Sequence, residues 1–202
     1  MKHQAQEQPN YNYDQKRFET FIDAVIAIIL TILVLELRVP ENMHSENIST
    51  KEQLSELLPS FISYIGSFLL IAGIWIDHHI MFLNLTRLTK RFILLNFLFI
   101  LSLSVVPFTT AFAGNNYHDS FAVALLFCNY FLMNLFFALL YWYSNWKGII
   151  NPAFIADNKK TGIYSSIGIA GLIAAIPLAY VNTYISFALG IIIFTGHLFK
   201  KK

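Results

Sequence analysis

Charged residues are scarce in this chain of 202 residues: they make up 13% of it, against about 25% in an average soluble domain. Hydrophobic residues take their place, at 56%. Cysteine is almost absent, and the single thiol, Cys128, cannot form a disulfide within the chain. The net charge is only +2 and no basic patch alternates with aromatic residues, which argues against nucleic-acid binding. The composition therefore predicts an integral protein of a lipid bilayer with no nucleic-acid partner.

Motifs of catalytic sites are also missing. The sequence contains no nucleophile–base pair, phosphate-binding loop, dinucleotide fingerprint or zinc signature. His78 and His79 are adjacent, and neighbouring positions of a helix point about 100° apart, so the two cannot chelate one ion together. The Thr-Val-Gly-Tyr-Gly run of the carbonyl-ring potassium filter is absent too. We expect no enzymatic activity, no metal and no cofactor.

Long apolar segments recur along the chain and predict an all-α, polytopic membrane protein with six transmembrane helices. The segment 161–199 contains no Asp, Glu, Lys or Arg and is too long to cross a hydrocarbon core of about 30 Å only once. We therefore divide it into two spans with a turn at 181–183. The other predicted spans cover about 18–38, 61–82, 92–113 and 121–142. A short interfacial helix is expected within 41–57, and a polar loop at 147–160.

The positive charges alternate with the predicted spans. Of the 14 Lys and Arg residues, 12 fall on one side of the membrane, leaving only Arg38 and Lys51 on the other. The positive-inside rule places the twelve, and with them both termini, in the cytosol. Residues 1–16 are then a polar cytosolic tail, and 17–202 form a single six-span transmembrane domain.

The first span carries a carboxylate, Asp23, in an apolar segment. A carboxylate at the middle of a bilayer costs about 2.5–3.5 kcal/mol, so it usually faces protein or water. Hydrogen-bond donors lie at the same cytosolic level of the next two spans, and with Arg17 they predict a buried polar network that holds the first helix: Trp75, His78, His79 and Asn96. The alternative is that Asp23 is simply hydrated at the cytosolic interface.

An aliphatic stripe with one hydroxyl runs along another face of the same helix. At about 100° per residue this face contains Ala24, Ile28, Thr31, Ile32 and Leu35. One hypothesis is that the stripe lines a pore. The other is that it contacts lipid or the core of the bundle, where aliphatic residues of a span are usually found.

The motif Arg17-x-x-x-Phe21-Ile22-Asp23, followed by Ile28-x-x-Thr31, resembles the first span of the transmembrane protein 175 family of potassium channels. The family's motif there is Arg-x-x-x-Phe-Ser-Asp, so Ile22 stands in place of a serine and removes its hydroxyl from the network. Further similar patterns lie in the second and third spans: Trp75-x-x-His78-His79, and Leu95-Asn96 with Pro107-Phe108.

The resemblance implies a homotetramer in which four first helices surround a central pore for monovalent cations. Arg17, Phe21 and Asp23 would belong to the motif network. Ile28 would form the hydrophobic constriction, with Ile32 beside it and Leu35 as a second apolar ring, and Thr31 would be tied to selectivity. The function expected is a potassium-preferring cation channel of the bacterial plasma membrane, with the permeant potassium ion as its only ligand.

Two other classes of protein compete with this hypothesis. A small secondary transporter of a cation or solute should show an internal repeat with broken helices, and no clear three-plus-three repeat is present. An intramembrane enzyme would need a second polar constellation at membrane depth, and a structural protein would show no ion flux.

Overall fold

The computed structural model describes residues 13–37, 49–157 and 159–198, and within these ranges the chain is almost entirely helical. The predicted all-α class is thereby confirmed. The predicted tail up to residue 12 and the loop 38–48 lie outside the described residues. The helices are α1 (Gln15–Leu35), α2 (Thr50–Glu56), α3 (Leu58–Leu83), α4 (Lys90–Ser104), α5 (Val106–Asn115), α6 (Ser120–Trp146), α7 (Pro152–Asp157), α8 (Lys159–Val181) and α9 (Thr183–Leu198).

Helix starts follow local sequence signals. Asp14, Thr89 and Asp119 cap α1, α4 and α6, each accepting a hydrogen bond from a backbone N–H of the first turn. At α2, Ser49 and Glu52 form a reciprocal capping box, with Ser49 N–H donating to the Glu52 carboxylate at 2.9 Å. The hydrogen bonds from the Ser49 backbone N–H and hydroxyl lower the pKa of the Glu52 carboxyl.

Four helices are long and apolar enough to cross a membrane, counting α4 and α5 together as Lys90–Asn115. They correspond to the first four predicted spans: Gln15–Leu35, Leu58–Leu83, Lys90–Asn115 and Ser120–Trp146. Two shorter apolar helices, Ser166–Val181 and Thr183–Ile193, follow where the last two spans were expected. Asn182 separates α8 from α9, and its side-chain oxygen accepts a hydrogen bond from Tyr184 N–H at 2.9 Å.

Two local expectations differ from the structure. The third predicted span is divided at Val105 into α4 and α5, because Pro107 has no backbone N–H to donate into the preceding turn. The expected polar loop at 147–160 contains the short helix α7, which Pro152 begins because its fixed φ suits the first helical position.

Helices α3 to α6 build the centre of the bundle. Their facing apolar side chains are fully buried and include Phe82, Phe92, Phe99, Leu103 and Met133. Helix α6 also contacts α8, which packs against α9. The α3–α4 and α6–α7 loops are joined by an antiparallel bridge between Leu85 and Ile150, with Thr86 N–H donating to the Ile149 carbonyl at 2.8 Å. This pairing fixes the end of α3, where the predicted polar network lies.

Polar and close backbone contacts fasten α3 to α5 and α6. The Ser67 hydroxyl hydrogen-bonds Thr110 Oγ1 at 2.7 Å and also the Tyr130 hydroxyl, so one buried cluster joins three helices. Nearby, Gly114 lies so close to α3 that a Cβ there would stand 2.8 Å from the Ser60 Cα. These contacts join α3, α5 and α6 to one another, and α3 and α5 in turn contact α1.

Candidate functional site

Helix α1 lies on the bundle through one narrow face. Ile22, Ile26, Ile29 and Leu33 are buried there against α3, α4 and α5. At about 100° per residue these four positions cluster on one side of the helix. Ile22, which replaces the family's serine, is fully buried in this apolar contact.

The predicted stripe lies on the exposed side of α1. Ile28 is 56% exposed, Ile32 40% and Leu35 67%, and both Ala24 and Thr31 are exposed. The Thr31 hydroxyl donates to the Ile28 carbonyl at 2.7 Å, which directs its proton inward and leaves its oxygen lone pairs available. Within the single chain, the stripe is an exposed apolar surface that carries one hydroxyl, that of Thr31.

Asp23 lies on the flank of α1, between the buried face and the stripe. Its carboxylate accepts a hydrogen bond of 2.9 Å from the Trp75 indole N–H of α3. The Trp75 ring stacks on His79 one turn later, with ring centroids 5.7 Å apart and planes within 18°. The indole therefore positions a carboxylate on one helix and an imidazole on the other.

His79 also meets a residue that sequence reasoning missed. Its Nδ1 lies 3.2 Å from Glu19 Oε1, one helical turn before Asp23 on the same flank. This contact lies outside hydrogen-bond geometry, so the buried Nδ1 has no hydrogen-bond partner among the described residues. The spacing of Glu19 and Asp23, four residues apart on one helix, was the available signal.

His78 points into the core rather than toward this flank. Its Nε2 lies 2.9 Å from Asn96 Oδ1, while the Asn96 amide donates to the Phe92 carbonyl at 3.0 Å. Because Oδ1 is the acceptor of that amide, His78 donates through Nε2. The ring stacks on Phe99 with centroids 5.5 Å apart, and the residue is fully buried.

The remaining motif residues lie nearer the start of α1. Phe21 is 46% exposed and packs on Phe97 of α4 at a centroid distance of 6.1 Å. Arg17 is exposed and forms no ion pair with a residue of the described ranges. Gln15, in contrast, reaches α3 and donates to the carbonyls of Phe82 and Leu85. The structure thus brings Asp23, Trp75 and His79 together, pairs His78 with Asn96 separately, and leaves Arg17 apart.

The chain matches known proteins over its first half and in its fold. Residues 17–107 match the model of a family described as endosomal/lysosomal potassium channel TMEM175. A potassium channel of Chamaesiphon minutus is 37% identical over 95 residues, which are 47% of each chain. The endosomal/lysosomal proton channel TMEM175 of Gallus gallus is 30% identical over 145 residues, which are 65% of this chain and 27% of that protein.

The aligned segment spans about half the length of the Chamaesiphon relative, or less in the avian one. The fold extends further: a crystal structure of a lysosomal potassium-selective channel TMEM175 homologue from Chamaesiphon minutus superposes with a TM-score of 0.79. That likeness covers 91% of this chain and 96% of that one, at 24% identity. The segment 17–107 therefore resembles the TMEM175 family, and the chain as a whole shares the fold of a solved TMEM175 homologue.

Proposed function

We propose that the chain is a subunit of a homotetrameric, potassium-preferring cation channel of a bacterial plasma membrane, with α1 of each subunit lining the pore. The observation that carries the proposal is the exposed stripe of α1, which lies opposite the face buried in the bundle. The relative in Chamaesiphon minutus that is 37% identical over 95 residues is named a potassium channel.

The flank beside the stripe favours a protein or water environment over lipid. Glu19 and Asp23 are both half-buried and lie next to the exposed face. Exposing carboxylates to hydrocarbon is costly, and polar groups of a span usually face a bundle interior or a water-filled cavity. Helix α1 therefore fits the axis of an assembly better than its outer surface.

The residues along the stripe suit a constriction with limited selectivity. Ile28 and Leu35 are seven residues apart, which is about 10 Å along the helix, so four copies would form two apolar rings. A narrow apolar ring excludes water and blocks ions until the helices rotate or separate. Thr31 lies between the rings, and its hydroxyl oxygens would offer the permeating cation its nearest polar ligands.

Six crossings complete the proposed architecture. We place α8 and α9 as the fifth and sixth spans, put both termini in the cytosol, and treat 17–202 as one channel domain. The charge alternation supports this topology, since an odd number of spans would put basic loops on both sides of the membrane. We assign the holding of α1 to Asp23, Trp75 and His79, with Phe21 packing on α4. His78 and Asn96 stabilise the core between α3 and α4.

Reconstitution in liposomes tests the function. The purified chain is inserted into vesicles loaded with potassium, and the release of potassium is followed against sodium and against protons. A channel gives flux down the potassium gradient that needs no second ion. Strictly coupled or saturable exchange would instead establish the secondary transporter.

Proton conduction is the second candidate, because the avian relative is named a proton channel. A pH-sensitive dye inside the same vesicles distinguishes proton conduction from potassium conduction. Acidification that persists without potassium movement would favour proton flux.

A further inference from the structure

Three side chains of metal-ligand type converge on the flank shared by α1 and α3. Glu19, Asp23 and His79 each place one ligating atom within 4.8 Å of the other two. One imidazole and two carboxylates form a donor set that suits borderline divalent cations such as Zn²⁺. The sequence argument against a metal concerned only chelation by His78 together with His79, and this set differs because Glu19 and Asp23 come from another helix.

The distance between two of the three ligand atoms fits a shared cation. His79 Nδ1 is buried and has no hydrogen-bond partner in the described ranges, although Glu19 Oε1 lies 3.2 Å away. Two atoms bound to one tetrahedral ion at about 2.0–2.1 Å lie about 3.3 Å apart. The nitrogen–oxygen distance thus matches the edge of a coordination polyhedron, while its angles do not match a hydrogen bond.

Trp75 holds the set in place from outside. Its indole N–H fixes one oxygen of Asp23 at 2.9 Å, and its ring stacks on the His79 ring. Outer groups that orient ligands in this way raise metal affinity, because less side-chain motion is lost on binding. His79 is 40% exposed and Glu19 21% exposed in the single chain, so the protomer itself does not fully enclose the cluster.

We propose that Glu19, Asp23 and His79 bind a divalent transition-metal cation of the zinc class, with water completing its coordination. The ion joins α1 to α3. If the proposed channel function holds, binding also restrains the pore-lining helix and lowers ion flux. Metal binding itself does not depend on that function.

Cobalt titration of the full chain in detergent tests the site. Co²⁺ replaces Zn²⁺ in such sites and reports bound ligands through its visible absorption. The metal-free protein is expected to take up one Co²⁺ per chain and to release it to Zn²⁺. Glu19→Gln, which keeps size and removes a charged ligand, is expected to weaken binding about tenfold or more.

Two further variants make the comparison specific. Glu56→Gln makes the same chemical change in α2, beside the opposite end of α3, and is expected to titrate like the original chain. His79→Gln removes the nitrogen ligand and is expected to abolish the visible bands, which also serves if Glu19→Gln does not fold. All three variants keep the five histidines that lie outside the cluster, so a difference in cobalt binding among them does not come from those residues.

Absence of visible bands at micromolar Co²⁺, or equal binding by Glu19→Gln and the original chain, would overturn the proposal. Ion flux in vesicles distinguishes failure of the metal-site proposal from failure of the proposed channel function. Cobalt binding without any ion flux would leave the site and remove the proposed function. Flux without cobalt binding would leave the channel function and remove the metal site. If Zn²⁺ slows flux in the original chain but not in Glu19→Gln, both the site and the channel function are supported.

Discussion

At the scale of single residues, Ile28 is where the channel proposal can be tested most sharply. Its side chain is 56% exposed, so a substitution changes the exposed surface more than the core. Ile28→Asn replaces an apolar ring by a hydrated one, and a hydrated constriction no longer excludes water. We expect potassium flux in liposomes to rise and selectivity over sodium to fall.

The matched control for this change is Ile173→Asn in α8, where the isoleucine is 51% exposed. It introduces the same amide on an apolar surface far from α1 in sequence. Flux should then match that of the original chain. Unchanged flux in Ile28→Asn would count against Ile28 as the constriction.

Thr31 gives a second residue-scale prediction. Thr31→Val keeps the shape and removes the hydroxyl, which in the described part of the chain donates to the Ile28 carbonyl of its own helix. Since an apolar ring has nothing to replace ion hydration, loss of these oxygens should bring the potassium-to-sodium flux ratio close to one. Total flux should change less than the ratio.

Thr20→Val is the control for Thr31→Val. Thr20 lies on the same helix, is exposed, and donates to the Lys16 carbonyl at 2.9 Å in the same manner. It is eleven residues away, about 16 Å along the helix. A ratio that falls equally in both variants would point to helix stability rather than to selectivity.

Sequence reasoning reached some of these residues and missed others for physical reasons. Trp75 could be predicted as a partner of Asp23, because a carboxylate in an apolar span needs hydrogen-bond donors and few polar groups are present there. Glu19 offered only its spacing of four residues from Asp23, since a charged residue at the start of a span is otherwise ordinary. Its proximity to His79 depends on how α1 is rotated against α3, which no local pattern encodes.

At the scale of elements, helices were more predictable than their interruptions. The bounds of α1, α3 and α6 follow from the length of each apolar run and from capping residues. The division of Lys90–Asn115 at Val105 was not anticipated, although Pro107 was visible in the sequence. Proline inside a span either kinks or breaks a helix, and neighbouring helices decide which.

The contact of α5 with α3 gives an element-scale prediction. In Gly114→Ala the new methyl would lie 2.8 Å from the Ser60 Cα, which is backbone and cannot rotate away. The helices must separate, at a cost of about 1–3 kcal/mol. We expect a lower melting temperature of the detergent-solubilised protein, followed by its intrinsic fluorescence.

Gly168→Ala in α8 provides the comparison, because its added methyl would meet the Ile193 side chain at an ordinary 3.8 Å. That variant should melt at the original temperature or slightly above, since alanine favours a helix over glycine. Equal destabilisation in both variants would show that glycine flexibility, and not close packing, is responsible at Gly114.

At the scale of the whole molecule, the chain presents α1 on the outside of its own bundle. A protomer that left Ile28, Ile32 and Leu35 against lipid would place Glu19 and Asp23 beside hydrocarbon as well. Assembly around α1 would keep both the stripe and the two carboxylates away from lipid, because the stripe would contact its own copies while the acidic flank stays against α3. Charge alternation predicts six crossings with cytosolic termini, whereas subunit number has no counterpart within one sequence.

Cysteine cross-linking tests that assembly. Leu35 is 67% exposed on the stripe, and the native thiol can be removed first by Cys128→Ala. If four α1 helices surround an axis, Leu35→Cys places four thiols near it, and mild oxidation should yield covalent dimers on non-reducing gels. Ile173→Cys, on an exposed face of α8, should stay monomeric under the same oxidation. Dimers from Ile173→Cys but not from Leu35→Cys would place α8, rather than α1, at the contact between subunits.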